Sequence, residues 1–140
     1  MKHNTIVDTG PLVALLTRSD TWHDWTKRQF ETVAAPLITC EPVVTEAVYL
    51  LSRTQGGVRA LLALLGRGVI EVRFSLQAEI EAIERLMRRY ASVPMSLADA
   101  CLVRMSELHS SSTVLTLDSD FSIYRRNGRQ TILIVAPRAN

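Results

Sequence analysis

Six aspartates occur in the 140-residue chain, and three of them, Asp8, Asp118 and Asp120, follow short apolar runs with the look of β-strands. An aspartate at the end of a parallel strand sits where open α/β sheets bind ligands. Two further acids stand in unusual company. Asp99 is the only acidic residue between Ser96 and Ser106, in a segment that is apolar on nearly every helical face. Glu46 lies inside an amphipathic helix, with Val43 at i−3 and Leu50 at i+4. Both are expected to be at least partly buried, and a buried carboxylate needs a partner.

Each acid also has a local explanation. Asp8 or Thr9 can cap the helix that Pro11 opens, Asp118 can cap a short helix near Phe121, and Ser96-Leu97-Ala98-Asp99 matches a capping box. Glu46 is too far inside its helix to cap it, and its local alternative is a salt bridge to Arg53 or Arg104. Together, however, Asp8, Glu46, Asp99 and Asp118 would form a costly cluster. Two carboxylates ~6 Å apart at an effective dielectric of ~20 repel by nearly ~3 kcal/mol. Six such pairs sum to on the order of 10 kcal/mol, comparable with the whole stability of a small domain. A divalent cation relieves most of that. With oxygen ligands alone, Mg2+ or Mn2+ is selected over zinc, and such ions in an acidic pocket suit phosphodiester hydrolysis. Thr9 and Thr116 stand beside these acids and could orient a water or a phosphate, or be ordinary strand and cap residues.

The elements that must position these residues follow from periodicity. Strands are expected over 3–8, 36–40, 69–73, 113–117 and 131–135. Helices are expected over 11–18, from Ser19 or Asp20 to 33, then 42–54, 58–65, 77–90 and 97–109, with a short piece at 121–125. Trp22, Trp25 and Gln29 share one face of the second helix, fitting core or subunit contact better than RNA stacking. Ile80, Ile83, Leu86 and Met87 should face inward on the 77–90 helix. Asn127-Gly128 should turn the chain, and the tail 136–140 should be loose. Strands separated by helices imply an α/β fold, a parallel five-stranded sheet with right-handed crossovers. The length fits a single domain, 1–140. If the first and fourth strands are neighbours, Asp8 and Asp118 emerge side by side.

Composition narrows the setting. A hydrophobic content of 47% argues against disorder, and no apolar run approaches the ~20 residues that cross a bilayer. Met1-Lys2-His3-Asn4 enters a strand with no signal-peptide pattern, so a cytoplasmic protein is expected. Cys40 and Cys101 lack zinc or redox spacing and should be reduced core residues. Of 16 basic residues only Lys2 and Lys27 are lysine. Arginine suits phosphate because its planar fork binds bidentately, although a lineage bias gives the same excess. Arg125, Arg126 and Arg129, just beyond Asp118, could track an RNA backbone or belong to a solvated loop.

The motifs Val7-Asp8-Thr9, Glu46 in a helix after the second strand, Ser96-Leu97-Ala98-Asp99-Ala100 and Thr116-Leu117-Asp118-Ser119-Asp120-Phe121 resemble, in order and spacing, PIN-domain proteins of the VapC toxin type. The resemblance spans nearly the whole chain. It implies a three-layer α/β/α sandwich and a Mg2+- or Mn2+-dependent endoribonuclease whose metal acids match Asp8, Glu46, Asp99 and Asp118. Asp120 falls on a more variable acidic position, a contributor behind the ligands. The resemblance also implies a homodimer, a VapB-like antitoxin as a separate chain, and tRNA, rRNA or mRNA as substrate. Housekeeping RNA processing, or RNA binding without turnover, stay open. Asp8-Thr9-Gly10 also matches the Asp-Thr-Gly of aspartic proteases, but that fold is all-β and leaves Glu46 and Asp99 unexplained. A phosphoacceptor of the receiver type would want a lysine at a later strand end, and none follows Lys27.

Overall fold

The first strand, β1 (Asn4–Val7), lies in the middle of the sheet in the computed structural model, which describes residues 2–138. Around it follow α1 (Thr9–Leu16), α2 (His23–Thr32), β2 (Leu37–Thr39), α3 (Glu41–Leu51), α4 (Gly57–Gly66), β3 (Ile70–Val72), α5 (Ile80–Arg89), α6 (Leu97–Leu108) and β4 (Ser112–Leu115). A 3-10 turn (Ser119–Ser122) leads into β5 (Arg125–Arg126), β6 (Gln130–Thr131) and β7 (Ile134–Val135). The five-stranded sheet has the order β3-β2-β1-β4-β7 and every pairing in it is parallel.

This order explains where the acids go. From β1 the chain steps outward through β2 to β3, then returns past β1 to lay β4 against its other side. The switch point falls between β1 and β4, as expected. With right-handed crossovers, reversing direction puts α1–α4 on one face and α5–α6 on the other, giving the three layers. The two strands pair from Asn4↔Ser112 to Val7↔Leu115, and the Asp8 amide donates to the Leu115 carbonyl at 3.0 Å. Thr5, Ile6 and Val7 are all buried, because both faces of a parallel sheet are covered.

On α3 the apolar i, i+3, i+4, i+7 spacing of Val44, Ala47, Val48 and Leu51 points to a core face; Ala47 and Leu51 are buried, Val44 and Val48 are half-buried, and Val43 is buried beside them. α6 buries Ala98, Ala100, Cys101, Leu102, Val103, Met105 and Ser106, nearly its whole circumference. It packs on β1, β4 and α5 and also meets α3, so Asp99 and Glu46 approach from two different layers. Trp25 packs half-buried against the core, whereas Trp22 is exposed. Cys40 and Cys101 are free and buried. No helix among the described residues is long and apolar enough to cross a membrane.

Three expectations differ. The stretch 131–135 is two strands: β6 pairs antiparallel with β5, and only β7 joins the main sheet beside β4. The cause is the Asn127-Gly128 turn, with φ of 51° and 80°, which folds the chain back into a hairpin first. Ile80 is exposed, since it stands at the first position of α5 before the inward face is established. The second helix begins only at His23, because the Asp20 carboxylate takes the Trp22 amide at 2.8 Å and holds a turn instead. Of the tail expected to be loose, 139–140 lie outside the described residues.

Candidate active site

Asp8 leaves β1 at the switch point and caps α1. Its Oδ1 accepts the Thr9 amide at 2.7 Å and its Oδ2 accepts the Thr116 hydroxyl at 2.8 Å. Thr116 in turn accepts the Asp118 amide at 2.9 Å. One fully buried hydroxyl therefore ties the loop after β1 to the loop after β4. Asp118 caps the 3-10 turn, its Oδ1 accepting the Asp120 amide at 2.9 Å. Asp99 completes the capping box with Ser96 at the start of α6. Its Oδ2 accepts the Ser96 amide at 3.3 Å and the Tyr124 phenol at 3.0 Å.

The local explanations and the cluster are thus compatible. Asp8, Asp99 and Asp118 each cap a helical segment, and all three also line one cleft of about 420 Å³ with Thr9, Gly10, Glu46, Leu50, Ser96 and Leu117. A carboxylate has about four lone-pair sites, so one capping bond leaves most of its acceptor capacity. Asp99 Oδ1 and Asp118 Oδ2 carry no hydrogen bond among the described residues.

Glu46 departs from expectation, since its side chain is exposed rather than buried. It stands on α3 at the edge of the face that buries Val43 and Ala47, and reaches the cleft from its mouth, where Thr9 Oγ1 donates to Oε2 at 3.4 Å. The anticipated ion pairs with Arg53 or Arg104 are missing, because Arg104 is taken by Glu79 and Glu107 at 3.4 and 3.1 Å. None of the four cleft carboxylates is ion-paired among the described residues.

The electrostatics follow. Burial pushes the Asp8 carboxyl up to about 6, with the charges of Asp99 and Asp118 adding to the rise and the Thr116 and Thr9 hydrogen bonds opposing it. Burial also raises Asp99, with a contribution from Asp118, against the bonds from Ser96 and Tyr124. Asp8, Asp99 and Asp118 face one another at the bottom of the cleft, and Glu46 stands at its rim.

Among the described residues, no three aspartate, glutamate, histidine or cysteine side chains are grouped so as to hold a metal ion as they stand. The fit to a divalent ion lies in the chemistry of the donors: oxygen only, uncompensated charge, and oxygens with acceptor capacity left over.

Of the remaining expected site residues, Thr9 lines the cleft, and Thr116 lies behind it. Asp120 is not among the lining residues; its amide serves Asp118, and its carbonyl accepts the Ile123 and Tyr124 amides. Arg125 and Arg126 spend their guanidinium groups on backbone carbonyls, Arg125 on Ser122, Ile123 and Tyr124 and the buried Arg126 on Ser110. Arg129 is exposed. Tyr124 was not foreseen. It is fully buried, packed edge-on against Tyr90 and Phe121 at centroid distances of 5.1 and 5.3 Å. No spacing rule connects residues 99 and 124, so the sequence carries no signal for this contact.

The PIN domain model matches residues 5–127, and the chain belongs to that family; its five-stranded parallel sheet flanked by helices is consistent with the PIN fold. Within it, the chain is 32% identical over 134 residues to ribonuclease VapC26 of Mycobacterium tuberculosis (strain ATCC 25618 / H37Rv), covering 91% of this chain and 98% of that protein.

Proposed function

We propose that this protein is a Mg2+- or Mn2+-dependent endoribonuclease, and that it is the toxin of a type II toxin–antitoxin pair restrained by a VapB-like antitoxin chain. It would act as a homodimer in the cytoplasm on tRNA, rRNA or mRNA. The observation that carries the reading is the single cleft lined by Asp8, Glu46, Asp99 and Asp118 without a compensating cation. The similarity to a ribonuclease named VapC26 supports RNA as substrate and the toxin assignment.

Asp8, Asp99 and Asp118 are assigned as the inner ligands and Glu46 as the outer one. The chemistry a bound ion would supply there is neutralisation of phosphate oxygens and acidification of an attacking water. The chain supplies the rest. Thr116 and the Thr9 amide hold both oxygens of Asp8, while Tyr124 and Ser96 hold one oxygen of Asp99 and leave the other for the site. Groups fixed in advance avoid reorganisation as the reaction proceeds. Glu46, exposed and tethered only by a long contact to Thr9, is free to turn toward the phosphate. Arg129 remains available to an RNA backbone, whereas Arg125 and Arg126 act on the hairpin itself.

The test is incubation of the purified protein with total cellular RNA in Mn2+ or in EDTA. Discrete fragments in Mn2+ alone, lost in Asp8→Asn, are expected. Bound RNA with no fragments under any condition would overturn the catalytic reading in favour of an RNA-binding domain. A short antitoxin-like reading frame beside this one would favour the toxin over a housekeeping nuclease.

A further inference from the structure

Beside the acid cleft lies a larger groove of about 740 Å³, walled by the outer face of α3, the segment after β3 and the start of α6. Glu46 and Ser96 line both hollows, so the two are continuous. The groove is mostly apolar, and two aromatic side chains form its walls. Tyr49, three residues beyond Glu46 on α3, is 76% exposed. Phe74 is half-buried against the core and faces the groove from the other side. Leu97, exposed at the start of α6, extends the apolar surface. Glu41, one α3 turn before Thr45, contributes a carboxylate.

We infer that this groove is a nucleobase subsite, taking an unpaired base of the RNA next to the phosphate held at the acid cleft. The inference rests on the nuclease reading and specifies how that site engages its substrate. Single-stranded RNA is recognised by splaying bases onto aromatic side chains and hydrogen-bonding their edges. An exposed tyrosine on the same helical face as Glu46, opening into the cleft that would hold the phosphate, provides such a platform one step along the strand. The charge of the walls selects the part of the nucleotide that enters. Glu41 lines the groove and not the acid cleft, so its charge repels phosphate from the groove, the backbone stays at the acid cleft and the base turns inward. A carboxylate accepts from an exocyclic amino group, as in glutamate contacts to cytosine N4. The groove therefore favours a base bearing an amino group over uracil.

Tyr49 is exposed and Glu41 stands in the first turn of α3, so Tyr49→Ala and Glu41→Gln leave the core untouched. The experiment crosses these variants with RNA carrying an abasic nucleotide on either side of the mapped cleavage site. Removing the base on one side should raise the wild-type KM roughly tenfold, in line with aromatic stacking. In Tyr49→Ala the intact and abasic substrates should be equivalent. Glu41→Gln should narrow the preference for an amino-bearing base. Affinity for labelled oligo(C) and oligo(U) RNA, read by anisotropy in the Asp118→Asn background, should show the same dependence without turnover. Equal losses in Tyr49→Ala for intact and abasic RNA would overturn the inference. A fall in sedimentation mass of Tyr49→Ala, with base dependence unchanged, would assign the groove to a second copy of the chain. If the wild type cleaves nothing yet binds RNA in a Tyr49- and base-dependent way, the subsite stands and the nuclease reading falls.

Discussion

Asp8 shows how one residue carries a local and a collective role together. Its carboxyl caps α1, so the capping reading of the sequence was correct, and the same carboxyl lies at the bottom of the shared cleft. Sequence pattern could identify Asp8, Asp99 and Asp118 as residues with a reason to be there, but could not rank the reasons, because both operate. Asparagine caps as well as aspartate, so Asp8→Asn removes the charge and keeps the cap. A rise from 3.8 to about 6 corresponds to roughly 3 kcal/mol at about 1.4 kcal/mol per pKa unit. The variant's amide leaves the Thr116 hydroxyl without its acceptor, which costs about 1 kcal/mol. Metal-free Asp8→Asn should therefore be more stable than the wild type at neutral pH by about 1–2 kcal/mol, read by urea denaturation. Tyr124→Phe takes away the phenol that holds Asp99 Oδ2. Loss of such an orienting partner typically weakens metal affinity about 10–100-fold, so Mn2+ affinity in calorimetry should fall while the secondary structure by circular dichroism stays unchanged.

At the scale of elements, the site depends on how closely α1 approaches the loop after β4. Gly10 sits in the first turn of α1, and a Cβ there would meet Leu117 side-chain carbons at 3.2–3.3 Å. Alanine favours a helix by about 1 kcal/mol over glycine, yet here Leu117 must give way, moving the loop that carries Asp118. Gly10→Ala should leave the melting temperature within a few degrees of the wild type while lowering Mn2+ affinity, and unchanged affinity would show that the loop absorbs the methyl group. The elements themselves were largely legible in the sequence. Continuous apolar runs marked buried parallel strands, and the i, i+3, i+4, i+7 spacing of Val44, Ala47, Val48 and Leu51 on α3 placed Ala47 and Leu51 inside correctly, while Val44 and Val48 are half-buried and Val43 takes the third buried place. Glu46 was misplaced because flanking apolar residues suggest burial, although Leu50 and Tyr49 beside it are themselves exposed. A helix face lining an open groove has the same apolar look as one turned toward the core. The 125–131 hairpin was half seen: Asn127-Gly128 declared the turn, but nothing in alternation told β6 from β7.

For the whole molecule, the linkage between charge and folding sets the pH behaviour. Asp8 holds its proton more tightly folded than unfolded, so the native state binds more protons between about pH 4 and 6. Metal-free stability should fall as pH rises through that window, and the loss should persist above it. Asp99, also raised, acts in the same direction. On the proposed metal reading a divalent ion would bind the ionised acids of the native state, so Mn2+ should stabilise increasingly toward neutral pH and oppose the fall. The sheet order explains why residues so distant in sequence line one cleft: β1 and β4 are adjacent, and α6, which packs on both, also meets α3. The central claim, that this shared cleft is a divalent-metal centre, is met most directly by calorimetric titration of Mn2+ into the wild type and Asp8→Asn at pH 7.5. Saturable binding by the wild type and its loss in the variant are expected. Absence of binding in both, or equal binding in both, would contradict it.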